Sequence, residues 1–148
     1  MRIIEEVPIV TSPTAHSSDV AGLIRFRSPY SFDDTVHRLL AAFADRGIKV
    51  FATIDQQAEA LAVGLSMPPT TLILFGNPKA GTPLMLANPQ SGVDLPLKAL
   101  VTESSAGEVD VTMNAGAYII QRHGLPAELL ANLAPVEGLV ASVLSVEH

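Results

Sequence analysis

The stretch that most constrains the fold is residues 70–84, TTLILFGNPKAGTPL, where an apolar run leads into a segment rich in glycine and proline. Residues 72–75 are four consecutive apolar side chains, so we expect a strand buried on both faces. Residues 76–81 are interpreted as a bend, and a short helix is predicted over residues 83–87 because Pro is tolerated at the first helical position. The stretch therefore predicts a central strand that ends near the start of a helix.

The clearest helix signal lies further upstream. Ser31 is an N-cap residue and Asp34 follows three positions later, as in a capping box. Apolar residues then recur with the i, i+3, i+4, i+7 spacing of one helical face. These residues are Val36, Leu39, Leu40 and Phe43. Gly47 is expected to end the helix in the left-handed conformation.

Alternating apolar and polar residues predict further strands. The segments concerned are residues 23–27, 48–55, 97–103 and 108–113. The last two are separated by Ser-Ser-Ala-Gly, which indicates an antiparallel hairpin. Residues 126–133 and 135–146 each carry an early Pro and are predicted to be helices. The pattern favours an α+β fold, with a mostly antiparallel sheet of about five strands and helices packed on one face.

Length and composition limit the class of protein. The chain has 148 residues, enough for one domain with a substantial core. We assign residues 1–18 to an N-terminal extension and polar linker, and residues 19–148 to a single α+β domain. The net charge of −6 argues against a nucleic-acid partner, because neutralising phosphates requires clustered Lys and Arg.

The same composition bears on location. No window approaches the ~18 apolar residues of a membrane span. The acidic pair in MRIIEEVPIV interrupts any signal-peptide core, and we therefore expect no membrane partner and a cytoplasmic location. The chain has no Cys, which excludes disulfides and thiolate metal sites.

Motifs for catalysis and metal binding are missing from the sequence. It contains no HExxH, HxxxH, GxSxG or GxGxxG pattern. His123 follows Arg122 in the last turn of a predicted helix, where a cation stabilises the helix dipole. We accordingly expect no catalytic residues, no metal and no cofactor.

The candidate ligand-binding residues are Asp55, Gly76, Asn77, Lys79 and Gly81. Backbone amides in a glycine-containing turn before a helix can hold an anion, and Lys79 adds a positive charge. The alternative is plain turn chemistry, in which Asn77 bonds its own backbone. Asp55 ends a predicted strand and could line a cleft, although capping the next helix is the favoured role.

Several motifs together resemble a known family. They are SPYSFDDTVHRLLAAFADRGIKVFATID at residues 28–55, FGNPKAGTPLM at residues 75–85 and DLPLKALVTE at residues 94–103. In this order they are similar to the bacterial and archaeal family named domain of unknown function three hundred and two. The resemblance implies a small α+β domain grouped with the TATA-binding-protein-like superfamily, often homodimeric, with no established activity. That family often has a His after the Asp that ends the second strand, whereas Asp55 is followed here by Gln56, so no role is expected for such a His.

Three functions remain open. The first is non-catalytic binding of a small apolar or weakly anionic molecule by a homodimer. The second is an enzyme with a dispersed site near Asp55, Asn77 and Arg122, and the third is a structural or protein-interaction module. The small number of ionisable residues favours the first and third over an enzyme.

The homodimer is expected because 48% of the residues are hydrophobic, more apolar surface than a small monomer easily hides. The C-terminal part carries a seam with near-heptad spacing. Its members are Leu129, Leu133, Val136, Val140 and Val143. The alternative is that both C-terminal helices simply cover the chain's own sheet.

Overall fold

The structure is a computed structural model that describes residues 16–17 and 20–146. Within these residues, six strands form one sheet in which every neighbouring pair is antiparallel. The strands are β1 His16–Ser17, β2 Leu23–Ser28, β3 Lys49–Asp55, β4 Thr70–Gly76, β5 Leu97–Glu103 and β6 Val109–Asn114. Their order across the sheet is β1-β2-β6-β5-β4-β3. The predicted α+β class and the antiparallel sheet are confirmed, with five longer strands and one of two residues.

Five α-helices lie within the described residues. They are α1 Phe32–Asp45, α2 Gln56–Ala62, α3 Pro78–Ala87, α4 Gly116–Arg122 and α5 Ala134–Val143. Two 3-10 helices, Pro89–Asp94 and Ala127–Asn132, complete the fold. Residues 126–133 are predicted to be a helix, and within them Ala127–Asn132 form the second of these 3-10 helices.

Helix α1 begins and ends as its sequence predicts. The Ser31 hydroxyl accepts a hydrogen bond from the amide of Asp34 at 3.1 Å. The Asp34 carboxylate in turn accepts one from Nε of Arg38 at 3.0 Å. Gly47 has a φ of 68°, the left-handed conformation that favours glycine.

The core lies between the sheet and the helices. Leu39 and Phe43 of α1 are fully buried, and the Phe43 ring stacks on Phe75 with centroids 4.2 Å apart. Along β4, Ile73 and Phe75 are completely buried, whereas Leu72 and Leu74, which alternate with them, are only partly buried. The prediction that both faces of this strand are buried is therefore wrong. An apolar run does not show how many faces the helices cover, and here they cover one.

The C-terminal seam packs on the chain's own core. Leu133 and Val140 are 3% and 0% exposed. Leu129, Val136 and Val143 are partly buried against the same cluster. The alternative stated above, that these segments cover the chain's own sheet, describes the structure.

The N-terminal boundary also differs from expectation. Within the segment interpreted as a polar linker, His16 and Ser17 pair with Arg25 and Ile24 and add an edge strand to the sheet. Backbone hydrogen bonding to β2 does not depend on apolar side chains, which explains why a polar sequence joins the sheet. The rest of the segment assigned to the N-terminal extension, residues 1–15 and 18, lies outside the described residues.

An ion pair links two neighbouring strands on the open face. Arg27 of β2 donates from Nε to Asp110 of β6 at 2.6 Å, and its Nη1 lies 3.2 Å from Glu108. The hydrogen bond to Asp110 raises the pKa of the Arg27 guanidinium above its already high ordinary value. The pairing with Asp110 therefore favours the charged form of Arg27.

Candidate functional site

The predicted bend at residues 76–81 is instead the start of a helix. Asn77 is the N-cap of α3, and Pro78 occupies its first position. Both residues favour helix initiation, because Asn caps a free amide and the ring of Pro fixes φ near its helical value. The helix therefore begins five residues earlier than predicted, and Pro83, interpreted as its start, lies inside it.

The amides of residues 79–81 at this helix start are all hydrogen-bonded within the chain. Oδ1 of Asn77 accepts a hydrogen bond from the amide of Lys79 at 2.9 Å. The amides of Ala80 and Gly81 both donate to the carbonyl of Asn77, at 2.8 and 2.9 Å. Proline carries no N–H. An anion held here would therefore contact side-chain donors such as the Lys79 ammonium, rather than the amides of residues 79–81.

A cleft of about 740 Å³ opens beside this helix start. It lies between the end of β4, the start of β5, the first turn of α3 and residues 131–136. Its apolar wall includes Ile48, Phe51, Phe75, Leu95, Pro96 and Leu133. Volumes of this size hold small organic molecules, which favour concave sites with mostly apolar walls.

A hydrogen bond fixes the two sides of the cleft to each other. Nδ2 of Asn132, at the end of the second 3-10 helix, donates to the carbonyl of Ala80 in α3 at 3.0 Å. Both residues line the cleft. The first turn of α3 is thereby held against the C-terminal part of the chain.

All three lysines of the chain lie at this end of the sheet. Lys79 lines the cleft, and Lys49 has its Nζ 5.1 Å from the ring centroid of Phe51 in the cleft wall. Nζ of Lys98 donates to the carbonyl of Pro96 at 3.4 Å. Within the described residues, none of the three forms a salt bridge with a carboxylate. An otherwise acidic chain thus presents uncompensated positive charge around the cleft.

The structure separates the predicted ligand residues into two groups. Gly76, Asn77, Lys79 and Gly81 all line the cleft. Asp55 lies at the far end of β3, where its carboxylate accepts a hydrogen bond from the amide of Ala58 at 2.9 Å and caps α2, the role favoured from the sequence. Because β3 and β4 are antiparallel, the start of β3 meets the end of β4, and Asp55 lies at the opposite end of the two strands.

The dispersed site proposed for an enzyme is not assembled. Asp55 and Asn77 lie at opposite ends of β3 and β4, and Arg122 lines a different cavity. Arg122 instead donates from Nη1 to both carboxylate oxygens of Asp94, at 3.2 and 3.1 Å. The ring nitrogen Nε2 of His123 lies 2.6 Å from Oδ2 of the same carboxylate.

Sequence reasoning missed this cluster. Arg122 and His123 do end α4, as expected, but Asp94 was not singled out, and it lies 28 and 29 residues away from them. The one available signal was that Asp94 begins the DLPLKALVTE motif. The contact is long-range, and no local spacing pattern reports it.

The fold and the cleft define the class of protein: an α+β domain with one antiparallel sheet, helices on one face and a cleft at one sheet end. The chain belongs to the family described as Domain of unknown function DUF302, which matches residues 24–143. A crystal structure of an uncharacterized conserved protein DUF302 from Bacillus stearothermophilus is similar, with a TM-score of 0.70 and 18% sequence identity. The match covers 84% of this chain and 97% of that one, which confirms the fold and the resemblance seen in the sequence.

Curated relatives share part of their length with this chain. It is 42% identical over 105 residues to the fluoride-specific ion channel FluC 1 of Brucella suis, a match that covers 71% of this chain and 41% of that protein. The fluoride-specific ion channel FluC 2 of Brucella melitensis is also 42% identical over 105 residues, 39% of its length. The chain thus spans well under half of these relatives. Within the described residues, no helix is both long and apolar enough to span a bilayer.

Proposed function

We propose that this chain is a non-catalytic binding domain for a small molecule with an apolar body and a weakly anionic group, and that it works as a homodimer. The observation that carries the proposal is the cleft of about 740 Å³, with apolar walls and Lys79 at its edge. The apolar body would replace water along the Phe51 and Leu133 surfaces. The anionic group would pair with the Lys79 ammonium.

Binding is favoured over catalysis by the residues of the cleft. Among the described residues that line it, Lys79 is the only titratable side chain. General acid–base catalysis needs groups that gain and lose protons near the working pH, and neutral amides such as Asn77 and Asn132 do not. A cleft with one cation and apolar walls recognises a ligand without offering a reaction.

A titration with octanoate tests this function. We expect saturable changes in the amide signals of residues 76–82 and 131–136, and weaker binding by the uncharged analogue octanol. Lys79→Gln should weaken octanoate binding about five- to tenfold, since it removes one charge-assisted contact. Arg46→Gln, which removes a cation at the end of α1, is the matched control and should change nothing.

The result would go against the proposal if octanoate caused no change at millimolar concentration, or if Lys79→Gln and Arg46→Gln bound it equally. Native mass spectrometry of protein purified from its own host gives an independent check, because a retained small molecule would reveal the ligand's mass.

The homodimer rests on exposed apolar surface away from the cleft. Leu61, Val63 and Leu65, at the end of α2 and in the loop after it, are 72%, 73% and 64% exposed. Contiguous apolar surface on a small domain is typical of an interaction site. The cytoplasmic location expected from the sequence stays a prediction.

A second candidate is an accessory role beside a fluoride channel. It is favoured by the 105 matched residues in proteins named as fluoride-specific ion channels. The larger part of each of those relatives lies outside the match and can hold the pore. If this chain senses the transported ion, sodium fluoride should shift amide signals that sodium chloride at equal concentration leaves unchanged. Identical spectra in the two salts would argue against sensing.

A further inference from the structure

A second cavity, of about 570 Å³, opens between the 3-10 helix Pro89–Asp94 and the end of α4. It is lined by Pro89, Gln90, Val93, Arg122 and His123 and shares no lining residue with the cleft described above. The cavity is open to solvent. Its wall combines a guanidinium, a side-chain amide and an imidazole ring. It is therefore a separate place for a ligand.

The buried carboxylate of Asp94 organises this wall. Asp94 is 8% exposed, and its two oxygens accept from Nη1 of Arg122, while Oδ2 also contacts Nε2 of His123. An ionised carboxylate can only accept hydrogen bonds. Nε2 of His123 is the ring nitrogen that faces this carboxylate, and the contact fixes the orientation of the ring.

This arrangement leaves defined groups for a ligand. Within the described residues, Nδ1 of His123 has no hydrogen-bond partner, so it is available to a ligand. The Arg122 side chain is 51% exposed and uses only Nη1 toward Asp94, which leaves Nε and Nη2 as donors. The exposed Gln90 amide adds a further donor.

We propose that this cavity binds a small oxyanion that also carries a hydroxyl group, such as hydrogen phosphate or a 2-hydroxy acid. The charged oxygens accept from the Arg122 guanidinium, whose planar donors fit carboxylate and phosphate geometry. The hydroxyl forms a hydrogen bond with Nδ1 of His123. Asp94 touches no ligand and is a positioning residue for both side chains.

Titrations with inorganic phosphate, glycolate and acetate test the site, followed through the His123 ring and Arg122 side-chain signals. Phosphate and glycolate should cause saturable changes at millimolar concentration. Acetate lacks the hydroxyl and should bind roughly fivefold more weakly, the loss expected for one hydrogen bond. Arg122→Gln should weaken glycolate binding about tenfold.

Two further variants keep the test decisive. Gln90→Ala removes only an exposed amide and should weaken glycolate binding even if Arg122→Gln fails to fold. Arg46→Gln is the control for lost positive charge and should bind normally. Equal affinity for acetate and glycolate, an undiminished affinity in Gln90→Ala, or no spectral change at all would overturn the proposal. Octanoate binding in the cleft should persist in Arg122→Gln, which separates this site from the proposed function.

Discussion

The Glu137 carboxylate on α5 accepts a hydrogen bond from the backbone amide of Gly116, the first residue of α4, at 2.7 Å. The N-cap residue of α4, Ala115, has no side-chain oxygen to accept this hydrogen bond. Glu137, 21 positions after Gly116, accepts it instead. A negative charge at a helix N-terminus is also favourable with respect to the helix dipole. The contact ties α5 to the helix that ends in Arg122 and His123.

Glu137→Ala should therefore lower the free energy of unfolding by about 1–2 kcal/mol, the range for a lost N-terminal cap with a favourable charge. Glu137→Gln keeps an acceptor oxygen and should cost less. Urea unfolding measures both variants. Glu128→Ala, an exposed acidic residue in the second 3-10 helix, is the control, and an equal loss in Glu128→Ala would contradict the capping role.

Ser31→Ala should lower the free energy of unfolding by roughly 1 kcal/mol, because it removes the side-chain oxygen that caps the amide of Asp34. Ser105→Ala, in the exposed turn between β5 and β6, should leave the denaturation midpoint unchanged. Chemical denaturation compares the two. A Ser31→Ala midpoint equal to that of the unmodified chain would refute the contribution of the cap.

Ser91→Ala should stabilise the chain. The Ser91 hydroxyl is buried and has no hydrogen-bond partner within the described residues. A buried hydroxyl without a partner costs about 1–3 kcal/mol, so its removal should raise the free energy of unfolding by about 1 kcal/mol. Ser142→Ala, which removes a hydroxyl that donates to the carbonyl of Leu139 at 2.9 Å, should not stabilise. A destabilised Ser91→Ala variant would show that the hydroxyl is in fact satisfied.

Light scattering on a dilution series should give a dimeric mass at micromolar concentration. Leu61→Lys should shift the equilibrium toward the monomer, whereas Leu86→Lys, on the exposed side of α3, should not. A monomeric mass throughout the series would remove the dimer. Truncation of the C-terminal part is unsuitable as a test, because Leu139, Val140 and Leu144 belong to the core.

Folding should not require a metal. Among the described residues, no group of three or more His, Cys, Asp or Glu side chains is placed to hold a metal ion. Chelation with EDTA at neutral pH should leave the melting temperature unchanged. A drop of several degrees would indicate a structural metal.

Elements that depend on neighbouring residues could be predicted. The cap at Ser31, the end of α1 at Gly47 and the hairpin between β5 and β6 all involve partners within a few positions. The predicted start of α3, five residues too late, also came from local residues alone. Two prolines, Pro78 and Pro83, were both compatible with a helix start, and propensity alone did not show that the helix continues through the second one.

The sequence by itself determined the class of fold, the family and the segment that lines the cleft, because periodicity and capping act over one or two turns of chain. Only the tertiary structure decided which face of β4 the helices cover, that Asp55 lies away from Lys79, and that Asp94 meets His123. These relationships join residues that are distant in the chain. They arise from antiparallel pairing and from helices packing on one side of the sheet, and the pattern of any single segment does not contain them.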